Sequence, residues 1–352
     1  MARLDRLGAA KAVAQLGATL GREFSYEVLQ AVSPVEATAL QHALQQLVDA
    51  ELLYQRGVPP QATYLFKHAL VQETAYQSLL KSRRQQLHQQ VAQVLVERFS
   101  ETVETQPELI AHHFTEAGLT AQAIPHWQRA GERASKRSAH IEAIAHLTKG
   151  LELLKTQPDT SERAQQELTL QIALSVPLVM TKGYMAPEVE NIYARARELC
   201  QQEGETLQLF RVLRGLWTFH TTRAELQTAR ELGEQLLSLA QSAQDPAFLL
   251  EACYTLGASL FRLGEFTAAR SYLEQGIDFY DPQQHRSRAG SDPGVLCLLH
   301  LAWTLWLLGY PDQALHRSHR ALTLAQELSH PFSLAFALDF AAEIHRLRRE
   351  GQ

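Results

Sequence analysis

The sequence predicts an all-α chain: a winged-helix module with a small two-stranded wing, followed by a tetratricopeptide-like α-solenoid. Three observations carry this. Apolar residues recur at spacings of three and four nearly throughout. The period changes to a strand-like alternation only between Leu52 and His68. Beyond Leu216 the sequence repeats itself, the signature of stacked helical hairpins.

The elements follow in order. From Ala2 to Leu53 three helices fit, with Leu4, Leu7, Val13 and Leu16 on one face and Leu40, Leu44 and Leu47 on another. Ser33 before Pro34 reads as a helix start, with Pro34 at the first helical position. LLYQRG and TYLFKH, joined by the proline-containing VPPQA, read as two strands and a turn. Helices resume at ALVQETAYQSLL. Between Thr105 and Gly150 short helices are separated by single turns, with Pro107, Gly118 and Pro158 at the joints. The segments are therefore 1–100 (winged-helix region), 101–160 (helical-hairpin connector) and 161–352 (repeat superhelix).

The repeat is visible by self-alignment. Leu256 and Gly257 match Leu301 and Ala302, Leu260 matches Leu305, Gly264 matches Gly309, Ala269 matches Ala314 and Gly276 matches Ala321. Small residues fall where the helices of a hairpin must approach closely, and large ones where hairpins fill the space between them. Leu216, Ala224, Ala229 and Leu236 mark a third copy. The spacing of about 40 to 45 residues, against about 34 for the minimal repeat, calls for longer helices or loops. Phe332 to Gln352 reads as the first helix of a further repeat, so the chain is expected to be a piece of a longer protein.

Composition narrows the function. Hydrophobic residues make up 45% and charged residues 20%, a globular balance. A net charge of -5 provides no general attraction to nucleic acid or anionic lipid. Ser33 to Tyr54, the stretch containing the helix that a winged helix presents to DNA, holds no lysine or arginine, so nucleic acid is not the expected partner. Cys200, Cys253 and Cys297 form neither a CxxC pair nor an even set, which fits a reducing cytoplasm. Val295 to Tyr310 is apolar but too short to span a bilayer, and reads as a buried helix.

Chemical motifs are sparse. GxSxG, SxxK and HExxH are missing. Lys81 to Arg84 with His88 reads as a solvated turn between helices. His112 and His113 diverge by about 100° on a helix, so with His126 they read as structural histidines rather than metal ligands. Trp127, Trp217, Trp303 and Trp306 sit at core spacing.

MARLDRLGAAKAVAQLGATLGREFSYEVLQAV, the wing, YLFKHALVQETAYQSLLKSRRQQLHQQVAQVL and ELIAHHFTEAG together resemble the region after the nucleotide-binding domain of bacterial STAND-class signalling ATPases. These are predicted ATPases with tetratricopeptide tails, often fused to a class III adenylate or guanylate cyclase domain. The resemblance covers essentially the whole chain and is most specific from Tyr64 to His88. It implies a winged helix that folds over a nucleotide held by an upstream domain, and repeats that take up a protein, peptide or small effector. Phe66, His68, Gln72, Glu73 and Tyr76 are similar to an arrangement in NACHT-type relatives whose histidine contacts the β-phosphate of ADP. By that resemblance His68 senses nucleotide, with Phe66 and Tyr76 placing its helix. An imidazole at a helix start suits an anion; a helix-capping role is the plainer alternative.

The chain departs from the family in having no GxxxxGK[ST] loop, so no cofactor is expected on it and ATP or ADP would belong to the longer parent. A part of a cyclase-ATPase enzyme and a helical-repeat transcriptional regulator remain as alternatives.

Overall fold

The computed structural model describes residues 8–204, 206–282 and 291–349. Cα packing divides the chain into one compact unit up to Pro177 and another from Leu178 onward.

The first unit begins with helix α1 (Ala9–Leu20), strand β1 (Glu23–Ser25), helix α2 (Tyr26–Val32) and helix α3 (Ala37–Asp49). Leu4 and Leu7 lie outside the described residues. Strands β2 (Leu53–Arg56) and β3 (Thr63–Phe66) pair antiparallel with Leu53 opposite Phe66. β1 joins the free edge of β3, placing Glu23 opposite Leu65 and giving the order β1-β3-β2.

The sheet thus has three strands where the sequence suggests a two-stranded wing. An alternating pattern needs more than three residues to show itself, and in β1 only Phe24 is buried. Ser33 also departs from expectation. It ends α2, and its hydroxyl accepts from the Val35 amide at 3.1 Å, so the chain turns through Pro34 before α3 starts at Ala37. Phe24, Tyr64 and Phe66 pack as rings 5.9 Å apart beneath Leu29, Leu40, Leu44 and Leu47 in one continuous core.

Helices α4 (Ala69–Gln77), α5 (Lys81–Arg98), α6 (Ser100–Thr105), α7 (Pro107–Glu116), α8 (Thr120–Lys136) and α9 (His140–Leu154) follow. α7 packs on α5 and α8, and α8 packs on α9. Lys81 to Arg84 form the first turn of α5, not an inter-helix turn, and His88 on the same helix is buried. The cause is position: one full turn beyond Arg84 the helix face turns inward against α7. The division between units falls at Pro177, inside helix α10 (Ser161–Lys182).

The second unit contains α11 (Pro187–Glu203), α12 (Thr206–Thr222), α13 (Leu226–Ala243), α14 (Pro246–Arg262), α15 (Phe266–Asp278), α16 (Pro293–Leu307), α17 (Pro311–Glu327) and α18 (Pro331–Leu347). The three sequence copies are the hairpins α12–α13, α14–α15 and α16–α17. First helices of successive hairpins also pack on one another, α12 on α14, α14 on α16 and α16 on α18. The matched Leu256 and Leu301, Leu260 and Leu305, and Ala269 and Ala314 are all buried.

Gly264 and Gly309 close their hairpins at φ 82° and 85°, a conformation costly to any residue with a Cβ. At Gly276 a Cβ would lie 3.0 Å from Cys297 Sγ, so the approach to α16 is close there and a larger residue would press on the thiol. Helices of 17 or 18 residues account for part of the long repeat; residues 283–290 of the connection before α16 lie outside the described residues.

Each later first helix starts the same way. Asp245, Asp292 and His330 accept amide bonds from the first turn, and Pro246, Pro293 and Pro331 follow them at the first helical position. The apolar run from Val295 is α16, buried along most of its length. No helix among the described residues is long and apolar enough to cross a membrane.

Candidate functional site

The residues singled out from the sequence do not gather in one place. Phe66 is core, packed on Phe24. His68 stands at the N-cap of α4 with extended backbone (φ -130°, ψ 136°), and its side chain makes no capping bond. Its carbonyl instead receives the Val71 amide at 3.0 Å, leaving the ring exposed at the helix start beside exposed Leu70. Gln72 donates to the Ala18 carbonyl at 2.9 Å, fixing α4 against α1. Tyr76, two turns further on, turns away from His68: its hydroxyl lies 2.9 Å from His88 Nε2.

His112 and His113 diverge as helix geometry requires, His112 exposed and His113 buried. Among the described residues no group of three or more His, Cys, Asp or Glu is placed to hold a metal ion. The tryptophans are largely packing: Trp217 Nε1 donates to Ser259 Oγ at 2.8 Å, Trp127 Nε1 to Thr115 Oγ1 at 3.0 Å, and Trp303 stacks on Phe340 at 4.6 Å.

A groove in the second unit has the shape and lining of a binding site. It lies between α13 and α15, with α14 as its floor, and encloses about 770 Å³. Leu237 and Gln241 from α13 face Tyr272 and Gln275 from α15, with Leu249 and Cys253 beneath and Phe279 at one end. No charged side chain lines it. A second cavity of about 280 Å³ continues it past Leu237, Gln241, Ala268 and Tyr272 toward Arg230, Glu234 and Glu265. There Arg230 bonds Glu234 at 3.0 Å and Glu265 at 2.8 Å, so that end is an ion-paired rim.

The lining suits recognition rather than covalent chemistry. Primary amides supply both a donor and an acceptor, matching the groups of a peptide backbone, while Leu237, Tyr272 and Phe279 offer apolar contact. Burial pushes the Cys253 thiol up to about 11, which disfavours the reactive thiolate. Sequence reading missed this groove. A signal was present in Ser271 and Gln275, which share one face of α15, and in Gln241 near the end of α13.

No family model matches the chain. It is similar to an uncharacterised protein of Rhizobium meliloti (strain 1021), at 27% identity over 347 residues. The match takes in 97% of this chain and 33% of that protein, so the chain spans about a third of its relative's length. Among solved structures it resembles the apo form of RapI, with TM-score 0.54, 13% identity, and coverage of 98% of this chain and 80% of that one. It is also similar to a Signal Transduction ATPase with Numerous Domains protein with a tetratricopeptide repeat sensor from Pyrococcus horikoshii (TM-score 0.48, 10% identity, 96% of this chain, 53% of that chain). NprR in complex with its cognate peptide NprX gives TM-score 0.48 at 12% identity, over 92% and 84% of the two chains. The likeness to RapI bears on fold alone, and the fold is predominantly helical and tetratricopeptide-like, with one small three-stranded sheet.

Proposed function

We propose that this chain is a non-catalytic regulatory and binding segment whose helical repeats take up a peptide or an extended stretch of a partner protein. The observation that carries the reading is the uncharged amide-and-aromatic groove between α13 and α15, continued by the Arg230 rim. Amides stand on both sides, Gln241 on α13 and Gln275 on α15, where an extended chain would pass, whereas a compact ligand would need convergent polar groups at one point.

The first unit would pass the bound state to a nucleotide-binding domain encoded upstream, acting as a winged helix. His68 supports this part of the reading by its position: an exposed imidazole at the start of α4, beside exposed Leu70, faces outward where a second domain carrying a phosphate would meet it. ATP or ADP would then bind the longer protein and not this chain.

Selection of a random peptide display library on the purified chain tests the binding function. Enriched peptides should lose at least about tenfold in affinity for an Ala268→Trp variant, about 1.4 kcal/mol, because the indole fills the groove from α15. Absence of enrichment, or equal affinity for both proteins, contradicts it.

A further inference from the structure

Three helices of the first unit meet on a chain of hydrogen bonds that no part of the proposed function uses. α4 contributes Tyr76, α5 contributes His88 and α7 contributes His113. His88 Nδ1 lies 2.8 Å from His113 Nδ1, and His88 Nε2 lies 2.9 Å from the Tyr76 hydroxyl. The same hydroxyl is 3.5 Å from Glu116 Oε2. His113 Nε2 is buried with no hydrogen-bond partner among the described residues.

The distances decide where the protons sit. Two ring nitrogens 2.8 Å apart share one proton, so one ring donates and the other accepts. Were His88 the donor, His113 would carry its own proton on Nε2 and bury an unsatisfied N–H. With His113 donating, only a lone pair is left without a partner, the less costly orphan. His88 then accepts at Nδ1 and donates from Nε2 to the Tyr76 oxygen, and the Tyr76 O–H donates to Glu116. Every bond points outward, from the core to a surface carboxylate.

We propose that this chain of bonds is an acid-sensitive clasp: with both rings neutral it holds α7 onto α4 and α5, and protonation of the two rings releases α7. Once both are imidazolium, an N–H faces an N–H and like charges stand in contact. Burial is the main force keeping His88 down at about 4, with His112 and Arg84 adding to it. Burial likewise holds His113 at about 3, with His88 and His112 adding to it.

The groups facing the rings are Tyr76 from α4, Arg84 from α5 itself, and His112 and Glu116 from α7. His126 from α8 lies behind Phe114, 5.6 Å from its ring. Helices α1, α2 and α6 also pack on α5. Their charged residues are Lys11, Glu27, Glu101 and Glu104, whereas the charges that lower the two rings come from His88, His112 and Arg84.

Once α7 opens, the rings reach water and take up protons near the ordinary histidine value of about 6.5. Between that value and their folded values the open state binds more protons, so opening becomes easier as pH falls. From about pH 6 to pH 5 the opening equilibrium should rise about 50-fold if both rings are released and about sevenfold if one is.

Hydrogen exchange of the amides in residues 107–116, corrected for the intrinsic chemical rate, measures this. The expected result is a rise of about 50-fold for the native chain and about sevenfold for His113→Asn, whose amide hydrogen-bonds but does not titrate. A native rise of sevenfold or less, or an unchanged rise in the variant, overturns the proposal. Should His113→Asn fail to fold, nitrogen chemical shifts of the native histidines provide a second reading. Both rings should stay neutral at about pH 5.5, with the His113 proton on Nδ1. Either ring titrating in the ordinary range, or the opposite tautomer, overturns it equally.

Discussion

His88 and His113 in the first unit and His300 in the second are all buried imidazoles kept neutral, yet they are partnered in opposite ways. His300 lies among the rings of Tyr254, Phe261 and Phe340 at 5.4 to 6.0 Å, and its Nδ1 meets the Leu296 carbonyl of its own helix at 3.0 Å. His88 and His113 find their partners on other helices. Burial lowers His300 to about 4, much as it does the other two. The difference is therefore one of connection: a local bond leaves the helix self-sufficient, whereas a bond across helices makes one element depend on another. Removing His300's polarity costs a bond inside α16; removing His113's breaks a joint.

The largest effect is expected for His113→Ala. It leaves a cavity and strands His88 Nδ1 without a partner, and should cost about 3 kcal/mol of the first unit's stability. Trp127 is the only tryptophan before Pro177, so denaturant unfolding followed at that indole reads the loss. The effect should be smaller at pH 5 than at pH 7. Both rings have folded values below the ordinary one, so the stability they allow is fully present above about pH 6.5 and fades as pH falls toward their folded values.

Within the second unit a smaller loss is expected for Asp292→Ala. The Asp292 carboxylate caps α16 through the Val295 amide at 3.1 Å and accepts from the Tyr280 hydroxyl at 3.2 Å, while its own amide donates to Ser333 at the start of α18. Loss of the cap and of the Tyr280 bond should cost about 2 kcal/mol, read by hydrogen exchange in α16. The smallest effect is expected for His300→Phe. A ring of similar size among aromatic neighbours should change stability by less than about 1 kcal/mol. A loss as large as that of His113→Ala would erase the distinction.

Much of the fold was legible in the sequence, because helices and repeats are periodic over long stretches. Gly264 and Gly309 sit at matching hairpin turns, and Leu260 and Leu305 at matching core positions, as the self-alignment required. β1 was not legible, since three residues carry no period and its pairing depends on β3, about 40 residues away. The Asp-Pro and His-Pro starts of α14, α16 and α18 were readable and would have set those boundaries.

The candidate site was harder. His68 sits at a helix start, as its neighbours suggested, but Tyr76 is drawn toward His88 and not toward His68. Contacts between residues on different helices depend on tertiary packing that no local pattern encodes. The groove is hidden for the same reason: Gln241 and Gln275 look like solvent-facing amides until α13 and α15 are placed side by side.

The proposed function requires the space between α13 and α15 to receive an extended peptide. It is tested most directly by hydrogen exchange of the chain with and without a display-selected peptide at saturation. Protection should rise in residues 230–253 and 265–279, with the rest of the chain unchanged and the protection lost in Ala268→Trp. Protection elsewhere, or none at all with the peptide bound, would contradict the account.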